Sequence, residues 1–272
     1  MLRIARIAYK QRRSRVRVPP ALKQRSSKVQ RMNIGVIGSK GAMGEALRRV
    51  IDASGHDYSG GADQGDDVLD LAKVSDALVD FSVPAALDAN LRAARTAEVP
   101  IVIGTTGLGP AHHRAIDDVA DDIAVLQTGN TSLGVTLLAH LVREAAMRLD
   151  SDWDIEILEM HHRRKVDAPS GTALLLGEAA ADARGISLED HSEMARAGQT
   201  GPRQHGAIGF ASLRGGTVAG EHSVIIAGEE ERLVLSHSAE NRAIFARGAI
   251  RAAEWLREAE PGRYTMDQVL GL

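Results

Sequence analysis

Asn33-Ile34-Gly35-Val36-Ile37-Gly38-Ser39-Lys40-Gly41-Ala42-Met43-Gly44 is the stretch that decides the fold. It opens as a short β-rich run, passes through a G-x-x-G-x-x-G turn and leads into a helical pattern over residues 45–51. Glycines there let the backbone turn tightly and approach an anion. The free N–H groups of the first helical turn, at the positive end of the helix dipole, then face it. A dinucleotide-binding fingerprint also needs an acid near the end of the next strand, about 20 positions on. Asp63 follows Gly44 by 19 positions (63 − 44), closing a weak β-rich run at residues 58–62. The spacing departs from the commoner G-x-G-x-x-G, with Lys40 where a close glycine often stands.

Outward from this stretch, β-rich and helical patterns alternate. Residues 77–81 and 100–103 read as the third and fourth strands, and residues 123–126 as the fifth. Helical patterns at residues 85–97 and 110–121 lie between them. Strands separated by helices of this length predict βαβ units and a parallel sheet, with ligands bound at the edge where the strands end. After Asn130 the texture changes. A helix over residues 132–149 (apolar at Leu133, Leu137, Leu138, Leu141, Val142 and Ala145) precedes a strand at 153–160 and a helix at 173–183. Three β-rich runs follow, at 207–213, 216–227 and 232–237, and their glycine or charged turns predict antiparallel pairing. A last helix, at 243–259, is free to return to the first unit. The expected class is α/β: a Rossmann-type parallel-sheet domain plus an α+β substrate and oligomerisation domain with a mixed or antiparallel sheet. The division places residues 32–132 and 243–272 in the first domain and 133–242 in the second.

Composition bounds the chemistry. The 272 residues include no cysteine, which excludes disulfides, thiolate nucleophiles and Cys-based metal sites and fits a reducing, cytoplasmic compartment. No apolar run approaches the roughly 20 residues of a membrane-spanning helix. Eleven of the 33 Lys and Arg residues fall in residues 1–31, which hold no acid, leaving 22 against 36 acidic residues in the body. Nucleic acid is therefore not an expected partner of the folded part. Three readings of residues 1–31 stand side by side: an upstream start with Met32 as the true beginning, an organellar transit peptide, and a disordered basic arm.

The loops after the strands carry the candidate chemistry. Residues 38–43 would cradle a pyrophosphate, and Asp63 would accept hydrogen bonds from the adenosine ribose hydroxyls. Gln64, where an arginine would welcome a 2′-phosphate, implies that NADH is at least well tolerated, while Lys40 offers a phosphate contact. Gly104-Thr105-Thr106-Gly107 and Asn130 lie at the same edge. The densest segment is His161-His162-Arg163-Arg164-Lys165-Val166-Asp167-Ala168-Pro169-Ser170-Gly171-Thr172-Ala173. It sets five potential cations at a strand end, then a helix start whose outward N–H groups form an anion site. An imidazole serves as acid or base near neutral pH, and an ammonium donates a proton or stabilises negative charge. No metal site is expected, since adjacent histidines point different ways on a strand and no third ligand is near. His112 and His113 read as solvent-facing, and His205, His222 and His237 as structural or interfacial. Arg214 and Arg242 read first as surface ion-pair residues.

The run from His161 to Ala173, with Glu159 ahead of it, resembles the signature of the 4-hydroxy-tetrahydrodipicolinate (dihydrodipicolinate) reductase family. The likeness extends from Met32 onward through Val79-Asp80-Phe81-Ser82, Gly104-Thr105-Thr106-Gly107, Ala207-Ile208-Gly209-Phe210 and Gly220-Glu221-His222. It implies a cofactor, NADH or NADPH, over Gly38, Ser39, Lys40, Gly41, Ala42 and Met43, with Asp63 on its ribose. Gly104, Thr105, Thr106, Thr128, Gly129, Asn130 and Thr131 would lie near the nicotinamide half. By the same resemblance His161 is the acid/base residue and Lys165 the proton donor, and His162, Gly171 and Thr172 contact the carboxylates of a small cyclic substrate. It also implies a homotetramer, and hydride delivery to carbon 4 of the ring with loss of water. Ala42 and Gln64 stand where the family often has arginine, and Thr131 where an aromatic is frequent, which bears on cofactor preference. Other readings of the bare residues are a different Rossmann-type imine or amino-acid dehydrogenase and a non-catalytic dinucleotide sensor. The dehydrogenases that form a thioacyl intermediate are excluded by the absence of cysteine.

Overall fold

Five β-strands alternate with helices through the first hundred residues of the computed structural model, which describes residues 30–272. They are β1 (Asn33–Ile37), β2 (Asp57–Ala62), β3 (Ala77–Asp80), β4 (Ile101–Ile103) and β5 (Ala124–Gln127). The helices between them are α1 (Ala42–Ser54), α2 (Val68–Lys73), α3 (Leu87–Thr96) and α4 (Pro110–Val119). A sixth strand from the end of the chain, Gly262–Tyr264, joins beside β5, and every pairing in this sheet is parallel. Helices cover both faces, so the central strands are buried on both sides rather than alternating: Ile101, Val102 and Ile103 of β4 are all fully buried. Strand order reverses between β1 and β3, the position at which ligands bind in open parallel sheets.

A second sheet follows α5 (Leu133–Arg148) and contains β6 (Asp154–His161), β7 (Ser192–Glu193), β8 (Ile208–Arg214), β9 (Gly220–Ala227) and β10 (Arg232–Ala239). Between β6 and β7 lie α6 (Gly171–Arg184) and the single turn α7 (Leu188–His191). The sheet is mixed, in the order β10-β9-β6-β8-β7. Pairing among the last three runs is only partly the expected antiparallel one. β9 and β10 form a hairpin, but β6 inserts between β8 and β9 and pairs parallel with β8. β6 alternates strictly: Ile155 and Ile157 join a core with α5 and α6, and the even-numbered residues face away. On α5 the buried stripe is Val135, Leu138, Ala139, Val142 and Ala146, while Leu137 and Leu141 are exposed at 44% and 43%.

The chain then re-enters the first unit. α8 (Ala243–Leu256) buries Ala246, Ala249, Ile250, Ala253 and Leu256 in the core that α1 shares with β1 and β3. α9 (Met266–Leu270) adds Met266 and Val269 to that core. Of the basic extension only residues 30 and 31 are described, and Arg31 pairs with Asp57. The three readings of residues 1–31 otherwise lie outside the described residues. No helix among the described residues is long and apolar enough to cross a membrane.

Candidate active site

The glycine turn after β1 is built by backbone proximity. Gly38 has φ +80°, and a Cβ there would lie 2.6 Å from the Phe81 carbonyl oxygen at the end of β3. A Cβ on Gly44 would run into the carbonyl oxygens of Ser39 and Gly38. These two positions therefore admit only glycine. At Gly41, the N-terminal cap of α1, no side chain caps the helix, and the nearest atom to an added Cβ is a carbonyl oxygen 3.4 Å away. This open cradle, with helix N–H groups facing outward, fits a dinucleotide pyrophosphate.

Asp63 is already oriented towards that turn. Its carboxylate accepts from the Ser39 hydroxyl at 2.5 Å and from the Lys40 N–H at 3.2 Å. Asp80, fully buried, binds the other loops together, accepting from the Ser82 N–H at 2.8 Å, the Asn90 amide at 3.0 Å and the Thr105 hydroxyl at 3.4 Å. Gly104 lies against the Phe81 ring and Gly129 beside Thr106, so the loops after β3, β4 and β5 form one rim. Thr106 is exposed on this rim, whereas Thr105 is buried. Thr131 turns inward, its hydroxyl donating to the Phe245 carbonyl at 2.7 Å.

The second half of the site begins at the end of β6. His161 Nδ1 is 2.6 Å from Glu159 Oε2, and its ring meets that of His222 edge to face, centroids 5.1 Å apart. Arg214 grips Glu159 with two N–H groups, at 2.9 and 2.8 Å. Burial alone would raise the Glu159 carboxyl, but hydrogen bonds from Arg214, His161 and Ser212 hold it below the ordinary carboxylate range. Burial first, and then the neighbouring His161 ring, push the His222 imidazole down to about 4. His162 lies below its ordinary value for the same first reason, desolvation, with the cations Arg242, Arg164 and Lys165 adding to it. Arg242 sits 3.5 Å from His162 Nε2 and forms no ion pair among the described residues. The Lys165 ammonium rests on Asp167 at 2.8 Å, and this hydrogen bond holds the Asp167 carboxyl below its usual range.

Ser170 caps α6, its hydroxyl accepting from the Ala173 N–H at 3.2 Å. Nothing lies within 4 Å of where a Gly171 Cβ would stand. The first turn of α6 is thus an open N–H surface for a carboxylate. The two halves meet where the Asn130 amide donates to the Thr172 hydroxyl at 3.0 Å. The rim of the first sheet therefore touches the start of α6 directly.

Three residues brought into the candidate site were undervalued by the sequence reading. Arg214 is no surface ion-pair residue, because its carboxylate partner is 1% exposed. His222, read as structural or interfacial, lies against the His161 ring. Glu159 entered only through the family likeness, yet it shares the inward phase of β6 with Ile155 and Ile157. An acid at a buried phase of a strand is a signal the sequence carries. His112, expected to face solvent, accepts the Gly109 N–H at 2.9 Å at the start of α4. A groove of about 870 Å³ lies between α1 and α8, and Ala42 and Arg242 are among the residues that line it.

Two family models match the chain: the dihydrodipicolinate reductase N-terminus over residues 32–131 and its C-terminus over residues 134–270. A 4-hydroxy-tetrahydrodipicolinate reductase of Zymomonas mobilis is 54% identical over 248 residues, covering 89% of this chain and 98% of that protein. Its counterpart in Afipia carboxidovorans is 57% identical over 206 residues, 76% of each chain. Among solved structures, a dipicolinate-bound dihydrodipicolinate reductase from Paenisporosarcina sp. TG-14 superposes with a TM-score of 0.70. It shares 20% identity over 87% of this chain and 98% of the other, a likeness of fold.

Proposed function

The chain belongs to the dihydrodipicolinate reductase family, and from that premise we propose that it reduces 4-hydroxy-tetrahydrodipicolinate to tetrahydrodipicolinate in lysine and diaminopimelate biosynthesis. The enzyme is an NAD(P)H-dependent oxidoreductase. The reaction takes up a hydride and a proton and releases water; a bound reduced nicotinamide supplies the hydride. Residues 38–43 hold the pyrophosphate, Asp63 the adenosine ribose, and Gly104, Thr105, Thr106 and residues 128–131 the nicotinamide half. NADH is at least well tolerated, since Asp63 offers acceptors to ribose hydroxyls and Gln64 offers no cation to a 2′-phosphate.

The protein's own residues handle orientation and the proton. Gly171 and Thr172, at the α6 N-terminus, take one substrate carboxylate, with His162 beside them. His161 serves as the acid/base residue. Lys165 donates the proton once substrate draws its ammonium from Asp167. Carrying this reading is the Asn130–Thr172 bond, which brings the cofactor rim and the carboxylate site to one cleft.

Residues 32–132 with 243–272 form the dinucleotide domain in this reading, and residues 133–242 the substrate domain. The second sheet turns Leu158, Met160, Leu213, Ile225 and Val234 away from α5 and α6, with Leu213 and Val234 exposed at 49% and 48%. An apolar sheet face of this kind suits burial between copies, and a cytoplasmic homotetramer is proposed.

The test is a steady-state assay on the cyclic substrate with both cofactors, following nicotinamide absorbance. Turnover with both is expected, with NADH no poorer than NADPH by more than about tenfold. Lys165→Ala and His161→Ala should each lower kcat by about 10²-fold or more. Losses under threefold for both would reject the assigned roles, and cofactor binding without turnover would mark a sensor.

A further inference from the structure

The acid two residues before His161 is the most enclosed charge in the half of the site built on the second sheet. Glu159 is 1% exposed, and four N–H groups converge on it. Arg214 spans both oxygens. His161 Nδ1 approaches Oε2 at 2.6 Å, and the Ser170 N–H points to Oε1 at 3.3 Å. A two-pronged arginine grip requires an ionised carboxylate, and an ionised carboxylate only accepts hydrogen bonds. The ring nitrogen facing it must therefore carry a proton.

We propose that Glu159, clamped by Arg214, is a positioning residue that fixes His161 in the Nδ1–H form and leaves Nε2 as the one ring atom through which it exchanges protons. The inference rests on the acid/base role of His161 proposed above. A separate observation supports it. A Cβ on Gly220 would stand 3.0 Å from His161 Nε2 and 3.4 Å from Cδ2, so glycine at the start of β9 keeps that nitrogen clear.

The same carboxylate also sets the substrate anchor. Oε1 holds the N–H of Ser170, the cap of α6, while the Ser170 hydroxyl is 3.1 Å from His222 Nε2. One buried ion pair thus fixes the distance between the imidazole that moves a proton and the helix start that binds a carboxylate. Desolvating two charges is expensive, and a buried pair is weak support for stability. Fixing one tautomer and one geometry is the use it serves here.

The experiment uses the full chain with ¹⁵N-labelled histidine and reads the neutral His161 ring by long-range ¹⁵N–¹H correlation, assigned by its loss in His161→Ala. Wild-type protein is expected to show a protonated Nδ1 and a bare Nε2. Glu159→Gln offers one oxygen and an NH₂ group to donors that faced two oxygens. The ring proton should then move to Nε2, and kcat should fall roughly 10²-fold or more, as when an imidazole is held in the wrong tautomer. NADH affinity, set at the other sheet, should stay within threefold and reports that the variant is folded. A bare Nδ1 in the wild type overturns the proposal, and that spectrum decides even if Glu159→Gln does not fold. So does a folded Glu159→Gln enzyme whose kcat stays within threefold of wild type while His161→Ala is inactive. Full activity in His161→Ala would instead remove the acid/base role on which the inference stands.

Discussion

Replacing His222 by glutamine should flatten the dependence of folding stability on pH between neutrality and pH 5. His222 lies on β9, 4% exposed, and its Nδ1 has no hydrogen-bond partner among the described residues. Desolvation is the first cause of its lowered pKa. Electrostatic interaction with His161 adds to it, Glu159 opposes it, and His237 and Lys165 contribute least. The ring titrates near 4 in the folded chain against 6.5 when free. Between those values the unfolded chain binds the extra proton, so acid favours unfolding. This contribution is intact above pH 6.5 and is lost as pH falls towards 4. With these two values, proton linkage costs the wild type about 2 kcal/mol between pH 7 and pH 5. Glutamine does not titrate and still offers an oxygen to the Ser170 hydroxyl. Urea unfolding of both proteins at several pH values, followed by circular dichroism, isolates the difference and cancels what does not depend on pH. Wild-type stability should fall by about 2 kcal/mol more than that of His222→Gln. Parallel curves, with a gap constant to about 0.5 kcal/mol, would refute the assignment of His222 as a neutral buried ring.

Other positions give independent readings. Gly44→Ala must open the turn around the Ser39 and Gly38 carbonyls, so the NADH dissociation constant should rise about tenfold or more, equivalent to ~1.4 kcal/mol. A fluorescence titration indistinguishable from wild type would sink that claim. Asp63→Ala should weaken NADH about tenfold and NADPH less, shifting the preference ratio towards NADPH, in line with loss of charge-assisted hydrogen bonds. An unchanged ratio would remove Asp63 from the ribose site. Asn130→Ala strips the Ser132 N–H of its acceptor as well as the bond to Thr172, and should cost about 1–3 kcal/mol in a urea midpoint measurement. A cost below about 0.5 kcal/mol would show that water replaces both bonds.

Legibility followed the range of the interactions. The parallel sheet and its glycine turn were readable because strand, turn and helix are adjacent in sequence and each has its own period. The helix at residues 133–148 was placed within a residue at each end, yet Leu137 and Leu141 fall outside its buried stripe. Apolar identity alone does not say which flank of a stripe meets a core. Gly262–Tyr264 was missed because three residues have no period, and only the open edge of β5 makes them a strand. The direction of β8 was missed for a related reason. A β-rich run does not encode its neighbour, and β6 takes the place that a β8–β9 hairpin would have filled. The cationic loop was legible as chemistry, but Arg214 and His222 join it only through register, opposite His161 and Glu159 across the sheet. No spacing along the chain announces that.

The return of the last thirty residues to the first sheet has a consequence for biogenesis. α8, α9 and the final strand supply one wall of the core over β1 and β3, and they follow all the other elements of both sheets along the chain. The first lobe therefore cannot close while the chain outside the ribosome ends at β5. It must wait, with one apolar flank uncovered, until the intervening lobe has been synthesised and threaded past it. A nascent chain stalled before Ala243 would be a natural client for a chaperone.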